Sequence, residues 1–312
     1  MDLRQLRTFM AVAEQGSLSK AADQLRVAQP ALGRQVKQLE DELGIALFTR
    51  HGRGMVPTPA GRILIERAAA ILRLVDETRA EVSAERDAVK GHVSLGLPPT
   101  VGEVLAAPLV ERFLKQYPCV TVRIVPAFSG YLIDMLQRGE LDLAITYETG
   151  GAYQIKAEPL ILETLFLVGP KGSKLSLRRP VPFAALASKP LVLPGPRQGL
   201  RSLIEVTAQR AGVTLAVSVE AESLQTLKDL VRRGLGHTVL PVASVHAELR
   251  DRTLCAAPIA DPVLARKLTL SRSLVRPTSN AVRCFADALK SQMAAMVHDG
   301  IWRGELLRDE PM

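Results

Sequence analysis

Residues 26–50 form the most informative stretch of the chain, because their apolar positions recur at helical spacing. Leu32, Val36, Leu39 and Leu43 follow one another at steps of four, three and four, which places them on one side of a helix. Pro30 suits a first helical turn, so the helix is predicted to begin at Gln29 or Pro30. Polar and basic residues occupy the opposite side: Pro30, Arg34, Lys37 and Gln38.

Two apolar patterns precede this basic helix and supply its packing partners. They are Leu3, Leu6, Met10 and Ala13, followed by Ala21, Ala22 and Leu25. Each pattern predicts a helix, and Ser19 is the predicted N-cap of the second one. Only residues 26–28 then separate the second helix from the basic helix. A connection this tight is typical of a helix-turn-helix.

A basic, glycine-bearing tip follows the basic helix. Residues 45–48 and 49–56 predict two short strands around this tip, which together make a wing. Arg50, Arg53 and His51 are then predicted to reach phosphates or the minor groove while the helix lies in the major groove. The alternative is an ordinary amphipathic hairpin with a solvated basic face. The combination of helix, tight turn, basic helix and basic tip within about sixty residues favours DNA binding.

Residues 1–62 resemble the winged helix-turn-helix of LysR-type transcriptional regulators. The segments GSLSKAADQL, VAQPALGRQVKQLEDELGIALFTR and VPTPAGRILIERA follow that family's pattern in order and spacing. Two positions depart from it, since Ala28 and Gly33 stand where many members carry serine. Ala28 removes a hydroxyl cap, and Gly33 costs about 0.5–1 kcal/mol in helix propensity.

The resemblance implies a set of DNA-contacting residues. The recognition helix contributes Gln29, Pro30, Gly33, Arg34 and Lys37, and the wing contributes Arg50 and Arg53. The segments VAQPAL, LDLAITYE and LFLVGP further resemble the nitrogen assimilation control subgroup, from which we draw no inference about nitrogen.

Composition sets the broad class of the protein. The 312 residues are 47% hydrophobic, which supports two or three domains with cores of their own. The net charge of +8 is spread along the chain, so the placement of charges carries the DNA argument. The amino terminus is amphipathic and no apolar run approaches about 18 residues, so we expect a cytoplasmic protein without a membrane span. Cys119, Cys255 and Cys284 are predicted to be reduced, buried thiols, with redox sensing by Cys119 as the alternative.

A long helix is predicted to begin at Thr58 and Pro59 and to run to about Val89. Its apolar residues repeat every seven positions in two registers: Ala68, Val75, Val82 and Val89, and Leu64, Ile71 and Thr78. Such a seam predicts a partner helix and therefore a homodimer. The alternative is a single helix packed on its own domain. The family resemblance implies antiparallel pairing of these helices and assembly into homotetramers.

From Gly91 onward, short runs of Val, Leu and Ile alternate with helical patterns, which is typical of parallel α/β layers. The predicted strands are 93–97, 120–125, 141–146, 160–168, 191–193, 214–219, 237–240 and 267–271. The predicted helices are 102–116, 130–138, 199–211, 223–233 and 279–297. The chain is predicted to cross between two lobes near Glu163-Thr164 and again near Arg266-Lys267.

This pattern resembles the two-lobed type 2 periplasmic-binding fold that serves as effector domain in LysR-type regulators. The predicted fold class is therefore α/β, with a winged helix-turn-helix, a long linker helix and a two-lobed effector domain. The bounds are 1–58 for the DNA-binding domain, 59–90 for the linker, 91–297 for the effector domain and 298–312 for a tail. Lobe I comprises 91–163 and 267–297, and lobe II comprises 164–266.

Ligands of open α/β sheets bind outside the carboxyl ends of the strands, where helix amino termini converge. The effector-binding candidates are Thr100, Val101, Ser129, Gly130 and Tyr147 in lobe I, and Arg197, Gln198, Arg201, Ser223, His237 and Thr238 in lobe II. The two arginines favour a small anionic ligand. The alternative roles are solvated charges for the arginines, helix caps for Ser129 and Ser223, and a structural role for His237.

The predicted function is a transcriptional regulator that binds double-stranded DNA and responds to a small-molecule effector. Its partners would be a second copy of itself and RNA polymerase, and no cofactor or metal is predicted. One alternative is an effector-independent regulator of the same family. Another is a solute-binding protein or an enzyme on the same two-lobed fold. The lack of an export signal opposes the solute-binding protein, and the lack of metal-spacing, phosphate-loop and nucleophile-elbow motifs opposes the enzyme.

Overall fold

The computed structural model describes residues 1–51, 54–82, 89–147, 154–196, 198–274 and 278–307. The chain divides into two compact units, one of Met1–Gly91 with Arg138–Glu140 and one of His92–Gln137 with Leu141–Met312. The elements of the first unit are α1 (Leu3–Gln15), α2 (Leu18–Leu25), α3 (Gln29–Leu43), β1 (Phe48–His51), β2 (Gly54–Pro57) and α4 (Pro59–Val82).

The first three helices enclose one apolar core, as their sequence patterns predict, except that Leu25 of α2 is 37% exposed and lies outside it. Leu32, Val36 and Leu39 of α3 are buried in it. Leu43 lies on the last turn of α3, beyond the edge of this core, and is 42% exposed, so the prediction that it faces the core is wrong. The N-cap of α2 is Ser17 rather than Ser19, since its side chain accepts a hydrogen bond from the Lys20 backbone N–H at 3.5 Å.

The wing consists of β1 and β2, which pair antiparallel with Phe48 opposite Pro57. The Met55 backbone N–H donates to the Gly16 carbonyl at 2.8 Å and thereby attaches the wing to the end of α1. Gly54 has a φ of +134°, and a Cβ at this position would overlap the Gly16 carbonyl oxygen. The tip residue Arg53 and the side chain of Arg50 lie outside what the structure describes.

Helix α4 begins where the sequence predicts. The Thr58 hydroxyl accepts from the Gly61 backbone N–H at 3.0 Å and donates to the Ala46 carbonyl at 2.8 Å. Gly61 lies so close to the Leu47 carbonyl that a Cβ there would overlap it. The helix is described as far as Val82, and the predicted continuation through residues 83–88 lies outside the described residues.

The elements of the second unit begin with β3 (Gly91–Leu97), α5 (Pro99–Gln116), β4 (Val120–Pro126), α6 (Ser129–Gln137), β5 (Leu143–Tyr147), β6 (Ile155–Pro170), β7 (Val181–Pro182) and β8 (Pro190–Leu193). They continue with α7 (Gly199–Ala211), β9 (Ala216–Glu220), α8 (Leu224–Arg232), β10 (Thr238–Pro241), α9 (His246–Arg250), β11 (Leu254–Ala260), β12 (Ala265–Ser273), α10 (Asn280–His298) and β13 (Gly304–Leu306). Two short 3-10 helices complete the unit, Phe183–Ser188 and Val242–Val245. None of the described helices combines the length and apolarity needed to span a membrane.

Strand β6 runs through both lobes of the second unit and pairs with strands in each. Its first part pairs antiparallel with β12, and its last part pairs antiparallel with β10 and β11. On the lobe I side, β12 pairs antiparallel with β5, which pairs parallel with β3. In lobe II, β8 and β9 pair parallel. The two-lobed α/β fold is therefore confirmed, but its layers are mixed rather than parallel because the two crossing strands run antiparallel to each other.

Residues 301–307 are part of lobe I rather than of a separate tail. Strand β13 pairs antiparallel with β6, with Gly304 opposite Glu163 and Leu306 opposite Ile161. Trp302 is only 1% exposed. The predicted boundary at residue 298 is therefore wrong, because β13 follows α10 and pairs with an edge of β6.

The three cysteines are free thiols, but they are not the buried ones that were predicted. Cys119 is exposed, and Cys255 and Cys284 are partly exposed. Cys119 lies in the turn before β4, where no core covers it.

Candidate DNA interface and effector cavity

The outer face of α3 is open to solvent. Gln29, Pro30, Arg34 and Lys37 are exposed, and Gly33 is partly exposed with no other atom within 4 Å of where its Cβ would lie. Ala28 provides no side-chain cap for the helix. The partial positive charge at the start of α3 is therefore available to an anionic group such as a phosphate.

Two side-chain contacts hold α3 in this orientation. The buried Thr8 hydroxyl of α1 donates to Gln35 Oε1 at 2.5 Å. Glu40 Oε1 accepts from the backbone N–H groups of Leu47 at 2.8 Å and Phe48 at 3.2 Å. The recognition helix and the first wing strand are thus held together by a carboxylate on the helix itself.

Lys37 already has an acidic neighbour on this face. Its Nζ lies 2.9 Å from Asp41 Oδ1, one turn further along α3. The hydrogen bond and the charge of Asp41 raise the pKa of Lys37, so the side chain stays cationic. Both groups are exposed, and such a pair is readily exchanged for a phosphate.

The second unit contains a cavity of about 640 Å³ between its two lobes. Its walls are mainly apolar: Pro98, Pro99, Phe128, Leu162, Pro194, Leu200, Leu203, Ala221, Leu224, Leu227, Leu240 and Ala265. Polar groups and glycines supply the rest: Thr100, Ser129, Gly130, Tyr147, Gln198, Gly199, Glu222, Arg266 and Lys267. A volume and lining of this kind suit a small organic ligand.

Five of the eleven predicted effector residues line this cavity: Thr100, Ser129, Gly130, Tyr147 and Gln198. Ser129 also shapes it, since its hydroxyl accepts a hydrogen bond from the Tyr147 backbone N–H at 3.0 Å. Whether these residues contact a ligand stays a prediction.

Arg201 and Val101 do not face the cavity, which corrects their prediction. Arg201 is buried and its guanidinium is engaged by Glu205 at 2.6 Å and by Glu220 at 3.1 Å. It therefore holds α7 against β9 within lobe II. Val101 is fully buried in the lobe I core, because the residue after Thr100 on α5 points to the other side of the helix.

The other candidates of lobe II are placed elsewhere as well. Ser223 caps α8, where its hydroxyl accepts from the Thr226 N–H at 3.4 Å. His237 packs against Gly169 at the opposite end of β10 from the cavity-lining Leu240, and Thr238 is fully buried beside it. Arg197 lies outside the described residues.

Arg266 is a charged group of the cavity wall that sequence analysis did not select. Its Nε donates to Glu163 Oε1 at 2.5 Å and its Nη2 donates to Thr100 Oγ1 at 3.2 Å. The guanidinium Cζ lies over the Tyr147 ring, 3.7 Å from its centroid, in a cation–π contact. A signal was present in the sequence, since Arg266 and Glu163 stand at the two predicted crossings between the lobes.

Tyr147 is the neutral member of this group, which we call the polar corner of the cavity: Arg266, Glu163, Thr100 and Tyr147. Its hydroxyl is 2.8 Å from Thr100 Oγ1. Burial raises the pKa of Tyr147 above its ordinary value and Glu163 raises it further, while Arg266 and Thr100 offset only part of the shift. The phenol therefore keeps its proton and can donate a hydrogen bond to a ligand.

A buried lysine connects the two lobes beside the cavity. Lys228 of α8 is 2% exposed, and its Nζ lies 2.7 Å from Glu103 in lobe I and 2.7 Å from Glu248 in lobe II. Burial by itself would lower the pKa of Lys228, but the hydrogen bonds to the two carboxylates outweigh it and raise the pKa. The lysine is therefore charged and ties α5 to lobe II.

Comparison with known proteins identifies the family. Residues 3–62 match the bacterial regulatory helix-turn-helix of the lysR family, and residues 86–294 match the LysR substrate binding domain. The chain belongs to the LysR family of transcriptional regulators. The resemblance seen in the sequence is thereby confirmed for both domains of this LysR-family protein.

Individual relatives match the LysR-family chain over nearly its whole length. The HTH-type transcriptional regulator BbuR of Bordetella bronchiseptica is 32% identical over 97% of this chain and 94% of its own. The nitrogen assimilation regulatory protein nac of Klebsiella aerogenes is 33% identical over 91% of this chain and 93% of its own. The structure of a full-length OxyR variant from Pseudomonas aeruginosa is 25% identical, covers 93% of this chain and 98% of its own, and superposes with a TM-score of 0.71.

Proposed function

We propose that this LysR-family regulator binds promoter DNA as a homodimer and that a small carboxylate in the inter-lobe cavity changes its affinity or its bending of DNA. The observation that carries the effector proposal is Arg266, a guanidinium on the wall of a mostly apolar cavity. The ligand class that suits such a lining is a small molecule with an apolar body and one anionic group. Its effect on DNA requires different affinities for two arrangements of the protein.

The effector proposal is tested by a thermal-shift screen with small carboxylates such as benzoate, each paired with its neutral amide. A ligand of the folded state raises the melting temperature. We expect stabilisation by a carboxylate, none by its amide, and loss of the effect in Arg266→Met. Equal stabilisation by acid and amide, or an effect that survives in Arg266→Met, would contradict the anionic class. We propose binding without catalysis, so the carboxylate should be recovered unchanged.

The DNA proposal rests on the exposed outer face of α3 and on the family assignment. Fluorescence anisotropy with a duplex from the intergenic region upstream of the gene tests it. We expect tighter binding than to a scrambled duplex, with affinity falling steeply as salt rises. If a carboxylate binds but leaves DNA affinity and bending unchanged, the effector-independent regulator is favoured. We further propose that the regulator is cytoplasmic and acts on RNA polymerase. Run-off transcription with purified polymerase tests that action.

The dimer proposal rests on an exposed apolar stripe of α4. Ala68 is buried in the core of its own unit and Leu64 packs against that core, so these residues of the predicted seam are not free for a partner. The available stripe is Ile63 at 64% exposed, Ile71 at 37% and Leu74 at 37%. A second α4 would cover it, and further pairing of dimers would give the homotetramer.

Analytical ultracentrifugation of the double variant Ile71→Asp/Leu74→Asp tests the dimer. We expect a monomer, because charge on the stripe opposes burial. Ala69→Asp is the control, since residue 69 lies about 200° around the helix from residue 71 at 100° per residue. A dimer that persists in the double variant would place the interface elsewhere.

A further inference from the structure

Trp302 is the single tryptophan of the chain and one of its largest fully buried side chains. Its indole Nε1 donates to Glu163 Oε2 at 2.9 Å. The other oxygen of the same carboxylate accepts from Arg266 Nε at 2.5 Å. One buried carboxylate therefore joins Trp302, between α10 and β13, to Arg266 of the cavity wall.

The backbone that follows Trp302 is held against β6. The Thr164 N–H donates to the Arg303 carbonyl at 3.1 Å, and the Leu307 N–H donates to the Leu160 carbonyl at 3.0 Å. Gly304 approaches so closely that a Cβ there would lie 2.5 Å from the Leu162 carbonyl oxygen. These contacts lie at the point where β6 passes from one lobe to the other.

Glu163 is 0% exposed, so both of its oxygens need donors from within the protein. Trp302 satisfies Oε2, which leaves Oε1 for a single N–H of Arg266. Without the indole donor, the lowest-energy arrangement would turn the guanidinium into a two-bond pair with the carboxylate. That rotation would break the Thr100 hydrogen bond and the cation–π contact with Tyr147.

We propose that Trp302 is a positioning residue of the effector site: through Glu163 it fixes which N–H groups of Arg266 face the cavity. Strand β13 and the preceding Trp302 thereby support the effector site, although neither lines the cavity. This inference rests on the proposed function only in taking Arg266 as the group that meets the ligand.

The test measures the reactivity of Arg266 toward phenylglyoxal, by mass spectrometry of peptides from the full-length protein. In Trp302→Phe we expect Arg266 to react about tenfold more slowly than in the wild type, because the two-bond pair with Glu163 would engage one more of its N–H groups, and a hydrogen bond to a charged group is worth about that factor. Arg201 is the internal control, because its side chain is 9% exposed against 8% for Arg266 and is also paired with carboxylates. Glu305→Gln, on the exposed side of β13, should leave both rates unchanged.

An unchanged or faster Arg266 rate in Trp302→Phe would overturn the proposal. An equal change at Arg201 would also overturn it, since it would indicate a general loosening of the protein. A second measurement needs no tryptophan variant. As phenylglyoxal modifies Arg266 in the wild-type protein, the fluorescence emission of Trp302 should change in proportion. In Arg266→Lys treated in the same way, the emission of Trp302 should stay constant. Constant wild-type emission after full modification would also overturn it. Neither measurement uses an effector. Failure of the carboxylate screen would therefore contradict the proposed function without contradicting the role of Trp302.

Discussion

Arg34 lies on the exposed side of α3, one turn after Pro30 and away from the buried Leu32 and Val36. We expect Arg34→Ala to cost about 1–3 kcal/mol on the specific DNA site and to relax base preference there. Anisotropy with the specific and a scrambled duplex measures both effects. Arg112→Ala, an exposed arginine of the other unit, is the control. Equal losses on the two duplexes would show that Arg34 contacts the backbone only.

His237 predicts a pH dependence of stability. Burial lowers the pKa of His237 and Lys189 lowers it further, and neither ring nitrogen has a hydrogen-bond partner among the described residues. Below about pH 6.5, the ordinary histidine pKa, the unfolded chain takes up a proton that the folded chain resists. Stability contributed by the neutral ring is therefore present above that pH and is lost as the pH falls toward the folded pKa.

We expect His237→Leu to flatten this loss. Urea unfolding at pH 7.5 and pH 5 measures the difference in free energy of unfolding. His246→Gln removes an exposed histidine and should keep the wild-type difference. If His237→Leu also keeps it, the protonation of another group is responsible.

At the scale of elements, two glycines of the DNA-binding unit should respond to alanine with opposite signs. Gly54→Ala forces a side chain into a φ of +134° and against the Gly16 carbonyl, so we expect a loss of at least about 2 kcal/mol and detachment of the wing. Gly33→Ala meets open space within a helix, so we expect a gain of about 0.5–1 kcal/mol. Circular dichroism during urea unfolding measures both. A stabilising Gly54→Ala would mean that β2 does not hold this conformation.

At the scale of the whole effector unit, the Lys228 bridge should show which partner matters for stability. Lys228→Met leaves Glu248, whose side chain is 11% exposed, with Arg232 at 3.8 Å as its remaining ion pair among the described residues. We expect a cost of about 3–5 kcal/mol, as for a broken buried pair. Glu103→Gln removes a carboxylate that is 45% exposed and should cost at most about 1 kcal/mol. If urea unfolding gave equal losses of stability for Lys228→Met and Glu103→Gln, the ion pair with Glu103 of lobe I would account for the contribution of Lys228.

The sequence predicted those residues of the candidate site whose position follows from a nearby strand end. Thr100 and Ser129 lie shortly after the ends of β3 and β4, and Tyr147 is the last residue of β5, so the rule for open α/β sheets selects them. The same rule also selected Arg201 and His237, because it locates strand ends but not the direction of a side chain. Whether an arginine meets a ligand or a neighbouring carboxylate depends on what the fold places beside it.

By itself, the sequence determined the features that depend on contacts within a few residues. Helical periodicity defines α3 and its exposed basic face, and Thr58 with Pro59 defines the start of α4. Only the tertiary structure decided the polar corner of the cavity. Arg266 and Glu163 are 103 residues apart and Trp302 and Glu163 are 139 apart, and they meet because strand register and chain topology bring them together. No local pattern encodes such distances, since register is set by the packing of whole sheets.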